Sequence, residues 1–149
     1  MEEGETPRLA VTLRLPPLST APSSARHLLR FLGDAVGPAA LDDIELMVSE
    51  LVTNSYLHAG LCPTDRVELT AKVWRDLVRV EVVDPGPGFS PPDGTFEASV
   101  EPRGRGLYIV DQLADRWGVE QTDRSRVWFE VVPDQMAVDA LGGRAPASR

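Results

Sequence analysis

The longest helical pattern in the chain runs from Leu41 to about His58, and neither glycine nor proline interrupts it. Apolar and small side chains recur in it every three or four residues and form one stripe, made of Ile44, Met47, Val48, Leu51, Val52 and Ser55. An amphipathic helix buries such a stripe against a second layer, and this helix is the best-defined element of the sequence. Its opening acidic residues lie where the helix dipole favours negative charge, which indicates a structural role for Asp42, Asp43 and Glu45.

Strand patterns lie on both sides of this helix. A two-residue alternation from Leu9 to Leu15 predicts a first strand, and the Val-rich runs Val67–Trp74 and Leu77–Val83 predict a hairpin. Nearer the C-terminus, Gly118–Thr122 and Val127–Val132 predict two more strands. These runs are numerous enough to form one complete sheet.

Two shorter helical patterns accompany the strands. The first helix is predicted from apolar spacing before Gly33, and the third helix from apolar spacing after Gly106, with Leu107, Val110, Leu113, Ala114 and Trp117 on its apolar side. The resulting order is strand, helix, helix, hairpin, helix, hairpin. This order predicts an α+β fold, a two-layer sandwich in which the helices pack on one face of a mixed sheet.

Length and charge restrict the class of protein. The chain has 149 residues, of which 42% are hydrophobic, and this is enough for one domain with a core. We expect that domain at 9–133, with flexible polar tails at 1–8 and 134–149. The net charge of −8 is opposite to that of a nucleic-acid binder. With no apolar run of about 20 residues, one cysteine and an acidic N-terminus, the chain is expected to be cytoplasmic, without a membrane partner.

Three polar side chains, Glu50, Asn54 and His58, are spaced by four residues on the central helix. At this spacing they lie in one row beside the apolar stripe. The Asn54 carbonyl oxygen is a ligand that suits Mg²⁺, and Glu50 could act as a base. A solvated helix face would show the same spacing, and on spacing alone that interpretation is favoured.

A second motif follows the predicted hairpin. Asp84 ends a β-branched run and precedes Gly86 and Gly88, which permit close approach of a flat ligand. A carboxylate at a strand exit can accept a hydrogen bond from an exocyclic amine, which would favour adenine over guanine. A simple turn rich in Asp, Pro and Gly is the alternative.

The third motif is Gly104, Arg105 and Gly106, followed by Leu107, directly before the third predicted helix. Free backbone N–H groups and the helix dipole form an anion site at such a position, and glycine lets a phosphate approach. An ordinary helix start with solvated arginines is an equal alternative.

Together, the three motifs resemble the adenine-nucleotide-binding domain shared by gyrase, the heat-shock chaperone, sensor histidine kinases and the mismatch-repair ATPase. The resemblance covers about 41–132 in the right order. More narrowly, the segments 50–55, 104–110 and 127–130 are similar to those of the stand-alone bacterial anti-sigma-factor serine kinases.

This resemblance implies a Bergerat-type fold, with Mg-ATP held by Asn54, adenine bound by Asp84, a lid over the phosphates from about Phe89 to Arg103, and Glu50 as base. It also implies transfer of phosphate to a serine or threonine of a small anti-sigma-factor antagonist, ATP-dependent binding of a sigma factor, and often a homodimer. One departure is Arg124–Arg126 before the last strand, where family members often have Gly with Thr or Lys. No role is assigned to that segment, although Ser125 keeps a hydroxyl.

Other classes of ATP-using protein lack support. The single lysine, Lys72, lies in a strand pattern without a P-loop, and no protein-kinase signature is present. A histidine kinase would need a phosphoacceptor, for which His27 is the sole candidate, and we interpret His27 as an ordinary helix residue. The remaining alternative to a kinase is a non-catalytic module that uses ATP to bind a sigma factor or another regulator.

Overall fold

A computed structural model of the protein describes residues 4–86 and 102–134. In chain order, the elements are β1 (Leu9–Leu15), α1 (Ala21–Leu29), a short 3₁₀ turn (Arg30–Leu32), α2 (Gly33–Val36), α3 (Pro38–His58), β2 (Val67–Val73), β3 (Val78–Asp84), α4 (Pro102–Leu113), β4 (Arg116–Gln121) and β5 (Ser125–Val131).

The five described strands form one sheet in the order β1-β2-β3-β5-β4. The helices cover one of its faces, so the predicted α+β two-layer sandwich is confirmed. The prediction of a mixed sheet is wrong for these strands, because every neighbouring pair is antiparallel. β3 and β4, which α4 connects, do run parallel to each other, but β5 lies between them and pairs with both.

The core lies between the helix layer and the inner face of the sheet. Alternate residues of each strand enter it, as the period of two requires, and the apolar stripe of α3 packs over them. Its largest fully buried side chains come from both layers and are Phe129, Leu29, Leu32, Ile44, Met47, Leu69 and Leu107. α3 packs between α1 and α4, which makes it the central helix of its layer.

The beginning of α3 is held by a residue from the far end of the chain. Gly37 precedes the helix with φ +84, and the Asp134 carboxylate accepts hydrogen bonds from the backbone N–H groups of Ala39 and Ala40, both at 3.0 Å. A carboxylate at this position satisfies amides that have no partner within the helix. The helix therefore begins at Pro38, three residues before the predicted Leu41, and Asp134 belongs to the packed domain rather than to a tail.

The predicted N-terminal tail is also attached to the sheet. The Arg8 backbone N–H donates to the Val73 carbonyl oxygen at 2.7 Å, which extends the β1–β2 ladder. The Trp74 indole N–H donates to the Glu5 carbonyl oxygen at 2.9 Å. Residues 5–8 thus form part of the domain, whereas 1–3 and 135–149 lie outside the described residues.

The third helix differs from its prediction at both ends. α4 begins at Pro102, so Gly104, Arg105 and Gly106 lie inside the helix rather than before it. It ends at Leu113, and Trp117 lies in β4 opposite Phe129. The spacing of Trp117 from Leu113 fits a helix. However, the Asp115 backbone N–H donates to the Glu130 carbonyl oxygen at 2.9 Å, so pairing with β5 begins before Trp117 is reached.

The outer face of the sheet carries a network of charges. The Arg79 guanidinium lies 3.0 Å from carboxylate oxygens of both Glu81 and Glu130, and it stacks over Trp128 at 4.1 Å. Within the described part of the chain, no helix combines the length and apolar character needed to cross a membrane.

Candidate functional site

Two consecutive residues of α3 connect the helix to two different elements. The Asn54 side chain lies against Gly106 of α4, whereas the Ser55 side chain contacts Asp84 at the end of β3. Successive helical residues point about 100° apart, and α3 passes between the other two elements, so each side chain reaches a different neighbour. The central helix therefore joins all three sequence motifs in one region.

Asp84 is the last residue of β3, and only 7% of it is exposed. The Ser55 hydroxyl donates to its Oδ2 atom at 2.6 Å, and the Gly86 backbone N–H donates to its Oδ1 atom at 2.9 Å. Each oxygen retains a further lone pair, so the fixed carboxylate can still accept a hydrogen bond from a ligand.

Gly86 allows the chain leaving β3 to approach the end of α3. A Cβ atom at this position would lie 2.7 Å from the Ala59 carbonyl oxygen and 2.9 Å from Asp84 Oδ1. The first contact is with backbone, which has little room to move, so the site requires glycine here. Gly88, the second glycine of the motif, lies outside the described ranges.

Asn54 is also buried, with 6% exposure, but its environment is different. Its side-chain Nδ2 atom has no hydrogen-bond partner among the described residues. A Cβ atom at Gly106 would collide with this same nitrogen, so glycine lets α4 pack directly against the amide. Buried polar atoms without partners are rare in proteins, and one here indicates a site that a ligand completes.

The start of α4 supplies backbone donors beside Asn54. The N–H groups of the first helical turn, at Arg103 and Gly104, have no carbonyl partner within the helix and can hold an anion. The side chains of residues 102–105 lie outside the described set. Leu107 is fully buried in the core, so its side chain supports this helix start by packing.

Glu50 precedes Asn54 by one turn of α3 and is partly exposed. Within residues 4–86 and 102–134, apart from the side chains of 58 and 102–105, no group forms a hydrogen bond or ion pair with its carboxylate. The same part of the chain contains no cluster of three or more His, Cys, Asp or Glu side chains that could hold a metal. The His58 side chain and nearly all of the predicted lid, 89–101, are outside the described residues.

Sequence reasoning missed two buried serines beside Asp84. Ser55 was placed in the apolar stripe without a role, although its hydroxyl bonds Asp84. Ser125, with 4% exposure, begins β5 directly opposite Asp84 in the strand register. A polar residue at a core position was the available signal for Ser55, whereas the position of Ser125 depends on strand pairing.

The helices cover one face of an antiparallel sheet, and polar side chains gather where α3, α4 and the end of β3 meet. This architecture is that of the Bergerat-type ATP-binding fold. The chain matches the family model of the histidine kinase-like ATPase domain over residues 18–130, and it belongs to this family. An uncharacterized protein of Streptomyces coelicolor is 36% identical over 107 residues, which cover 68% of this chain and 97% of that protein.

Two solved structures share the fold. One contains the RsbU and RsbW domains of a Mycobacterium tuberculosis protein, with a TM-score of 0.63 and 18% identity over 83% of this chain. The other is the histidine kinase domain of a blue-light activated kinase from Erythrobacter litoralis, with a TM-score of 0.53 and 20% identity over 87% of this chain. The present chain covers only 32% of the first structure and 66% of the second.

Family membership identifies the chain as an ATP-binding domain of the ATPase and kinase superfamily. The residues that are present fit an adenine nucleotide. A buried carboxylate ends β3, an amide without a described partner faces α4, and two glycines occupy positions where a Cβ atom would collide.

Proposed function

We propose that the protein binds Mg-ATP between α3, α4 and the end of β3, and that it is a serine/threonine protein kinase acting on a small regulatory protein. The observation that carries this proposal is the position of Asn54 and Ser55 on α3. Asn54 contacts the α4 segment proposed to bind the phosphates, and Ser55 contacts the Asp84 carboxylate proposed to bind the base.

On the base side, Asp84 accepts a hydrogen bond from the exocyclic amine of adenine. The donors Ser55 and Gly86 hold the carboxylate in position before the nucleotide enters. Gly86 lets the chain that leaves β3 pack against the end of α3 beside Asp84. From the sequence motif alone, Gly88 is proposed to permit close approach of the flat ring. The carbonyl of guanine would face a carboxylate oxygen instead of donating to it, which disfavours that base.

On the phosphate side, the first-turn amides of α4, at Arg103 and Gly104, bind phosphate oxygens. Gly106 admits Asn54 beside this turn, and the Asn54 side chain would hold the metal through its carbonyl oxygen. When bound, Mg²⁺ offsets negative charge on the phosphoryl group during transfer.

Glu50 acts as the base in phosphoryl transfer. The substrate hydroxyl oxygen forms a bond to the γ-phosphorus, the bond from that phosphorus to the bridging oxygen breaks, and ADP leaves. The hydroxyl proton passes to the Glu50 carboxylate. Partial exposure of Glu50 suits this role, because the acceptor must approach from a second protein.

The partners are proposed from sequence resemblance, and the fold likeness to a structure that contains an RsbW domain agrees with them. They are an anti-sigma-factor antagonist, which receives the phosphate, and a sigma factor, which the ATP-bound form sequesters. Both are expected in the cytoplasm. A homodimer is the expected assembly, and analytical ultracentrifugation tests it.

One observation favours a second candidate function, a non-catalytic module that binds a sigma factor or another regulator. No described residue orients the Glu50 carboxylate, whereas two donors orient Asp84. A protein that needs ATP only to select a conformation requires a nucleotide site but no base.

Incubation with γ-labelled ATP and the antagonist-type proteins of the same genome tests the kinase proposal. Label on a serine or threonine of one of these proteins supports it. Stable ATP-dependent capture of a sigma factor without any label transfer supports the binding module instead. Absence of ATP binding in calorimetry contradicts both functions.

A further inference from the structure

Two buried serines on α3, six residues apart, use their hydroxyl groups differently. The Ser49 hydroxyl donates to the Glu45 carbonyl oxygen of its own helix at 2.7 Å, and it accepts a hydrogen bond from Arg26 at 2.9 Å. The Ser55 hydroxyl instead donates across the site to Asp84 Oδ2 at 2.6 Å. The partner of Ser55 is thus a carboxylate from another element, which a serine that served only packing would not need.

A serine hydroxyl has one proton to donate, and the common choice in a helix is the carbonyl four residues earlier, as at Ser49. Ser55 is 6% exposed and lies in the apolar stripe, where alanine would pack with similar volume and favour the helix more strongly. The hydroxyl therefore needs an explanation other than packing. The short hydrogen bond to the Asp84 carboxylate provides it, because bonds to charged acceptors are the stronger ones.

The two donors on Asp84 fix different parts of its geometry. Gly86 N–H holds Oδ1 and belongs to the chain that leaves the strand, so it moves with Asp84. Ser55 holds Oδ2 and belongs to the long central helix, so it fixes the carboxylate relative to α3. Without the Ser55 hydroxyl, only the Gly86 N–H holds the carboxylate, so its plane is less restrained about the last side-chain bond.

We infer that Ser55 is a positioning residue for base recognition. By orienting Asp84, Ser55 sets the selectivity of this site for a purine that carries an exocyclic amine. This inference deepens the proposed nucleotide-binding function and rests on it. It does not depend on phosphoryl transfer, because the binding module needs the same base selectivity. Asp84 remains the residue that contacts the base, and Ser55 acts through it.

The test compares ATP with inosine triphosphate, whose base carries a carbonyl in place of the amine. Calorimetry on the full chain with Mg²⁺ gives the ratio of the two affinities. For Ser55→Ala we expect about tenfold weaker ATP binding and little change for inosine triphosphate, because the lost hydrogen bond orients only the group that distinguishes them. The selectivity ratio should therefore fall about tenfold.

Ser49→Ala is the matched control, since it removes a buried hydroxyl from the same helix without touching Asp84. It should leave the selectivity ratio unchanged. Ser55→Thr retains the hydroxyl and should recover most of the ratio. Circular dichroism and thermal unfolding of each variant identify any general loss of structure.

Equal weakening of both nucleotides by Ser55→Ala, or an unchanged ratio, overturns the inference, since a merely structural role predicts one of these results. If the wild-type protein binds ATP selectively but transfers no phosphate, the kinase proposal fails and the Ser55 inference is judged by the ratio alone. If the wild-type protein binds neither nucleotide, the nucleotide-binding function and this inference both fail.

Discussion

The two sides of the candidate site differ in whether their buried polar side chains already have hydrogen-bond partners within the protein. On the base side, both oxygens of Asp84 already have donors within the protein. On the phosphate side, the Asn54 amide nitrogen is buried against Gly106 without a described partner. Asn54 belongs to α3, and Asp84 is hydrogen-bonded to Ser55 of the same helix. The two sides of the site therefore differ although one helix connects them.

The contrast indicates that the base side is fixed before binding, whereas the phosphate side is completed by the ligand. A preformed carboxylate loses little freedom when the base arrives, which favours affinity. A buried amide nitrogen without a partner costs about 1–3 kcal/mol in the free protein. The proposed metal contact is at the other end of the same amide, its carbonyl oxygen, so a bound ligand would fix a side chain that no described hydrogen bond holds. Four substitutions can break or sharpen this comparison.

The largest expected effect is that of Glu50→Ala on phosphoryl transfer. Loss of a general base lowers the transfer rate by roughly 10²- to 10⁴-fold, while Mg-ATP affinity should stay unchanged because Glu50 forms no described hydrogen bond or ion pair. Single-turnover transfer of labelled phosphate and calorimetry measure the two quantities. Asp42→Ala, an exposed acid at the start of α3, is the control. A normal transfer rate would remove Glu50 from the chemistry.

Asp84→Asn tests the preformed base side. The substitution replaces one acceptor oxygen by an NH₂ group, so either Ser55 or Gly86 loses its acceptor and the adenine amine meets a donor. We expect ATP affinity to fall on the order of 100-fold, with the fold retained, measured by calorimetry and circular dichroism. Asp123→Asn, in the exposed β4–β5 turn, should bind ATP normally. Unchanged affinity in Asp84→Asn contradicts the adenine role.

Asn54→Ala tests the incomplete side. We expect about tenfold weaker nucleotide binding in the presence of Mg²⁺ and a much smaller loss without it. The free protein should be as stable as the wild type or more stable, because the substitution removes a donor without a described partner and introduces a better helix former. Calorimetry with and without metal and thermal unfolding provide the measurements. Equal affinity losses in both conditions argue against metal ligation.

The smallest effect is expected for Gly106→Ala. The new methyl group would collide with the Asn54 amide and turn it away from the ligand, which corresponds to roughly fivefold weaker Mg-ATP binding for one lost hydrogen bond. A gain in helix propensity of about 1 kcal/mol opposes the crowding, so stability should change little. Gly33→Ala, with its Cβ 3.3 Å from Leu41 Cδ2, is the control. Binding equal to wild type would show that Asn54 has room to adapt.

Local patterns predicted the elements well where one periodicity extended over many residues. The stripe of α3 and the alternation of β2 and β3 identified these elements and most of their buried residues. Prediction was wrong where a distant contact decided the outcome. Asp134 sets the start of α3 from about 95 residues away, and the pairing of β4 with β5 places Trp117 in a strand.

The candidate site was predictable in its residue types but not in its connections. Asn54 and Asp84 could be proposed because their motifs occur in order with Gly104–Gly106 and together resemble a known family, whereas each motif alone has an ordinary structural explanation. The absence of a described partner for Asn54 and the contact of its amide with Gly106 required three-dimensional packing.

The sequence by itself determined which main segments are helical or extended, apart from their ends, and which chemical groups are available for an adenine nucleotide, since these follow from side-chain type and short-range spacing. Only the tertiary structure decided which partner each group received. Ser55 and Asp84 are 29 residues apart in the chain, and their hydrogen bond exists because α3 packs on the end of β3. The spacing of the helix placed Ser55 in the apolar stripe, but no local pattern could show that its hydroxyl bonds Asp84.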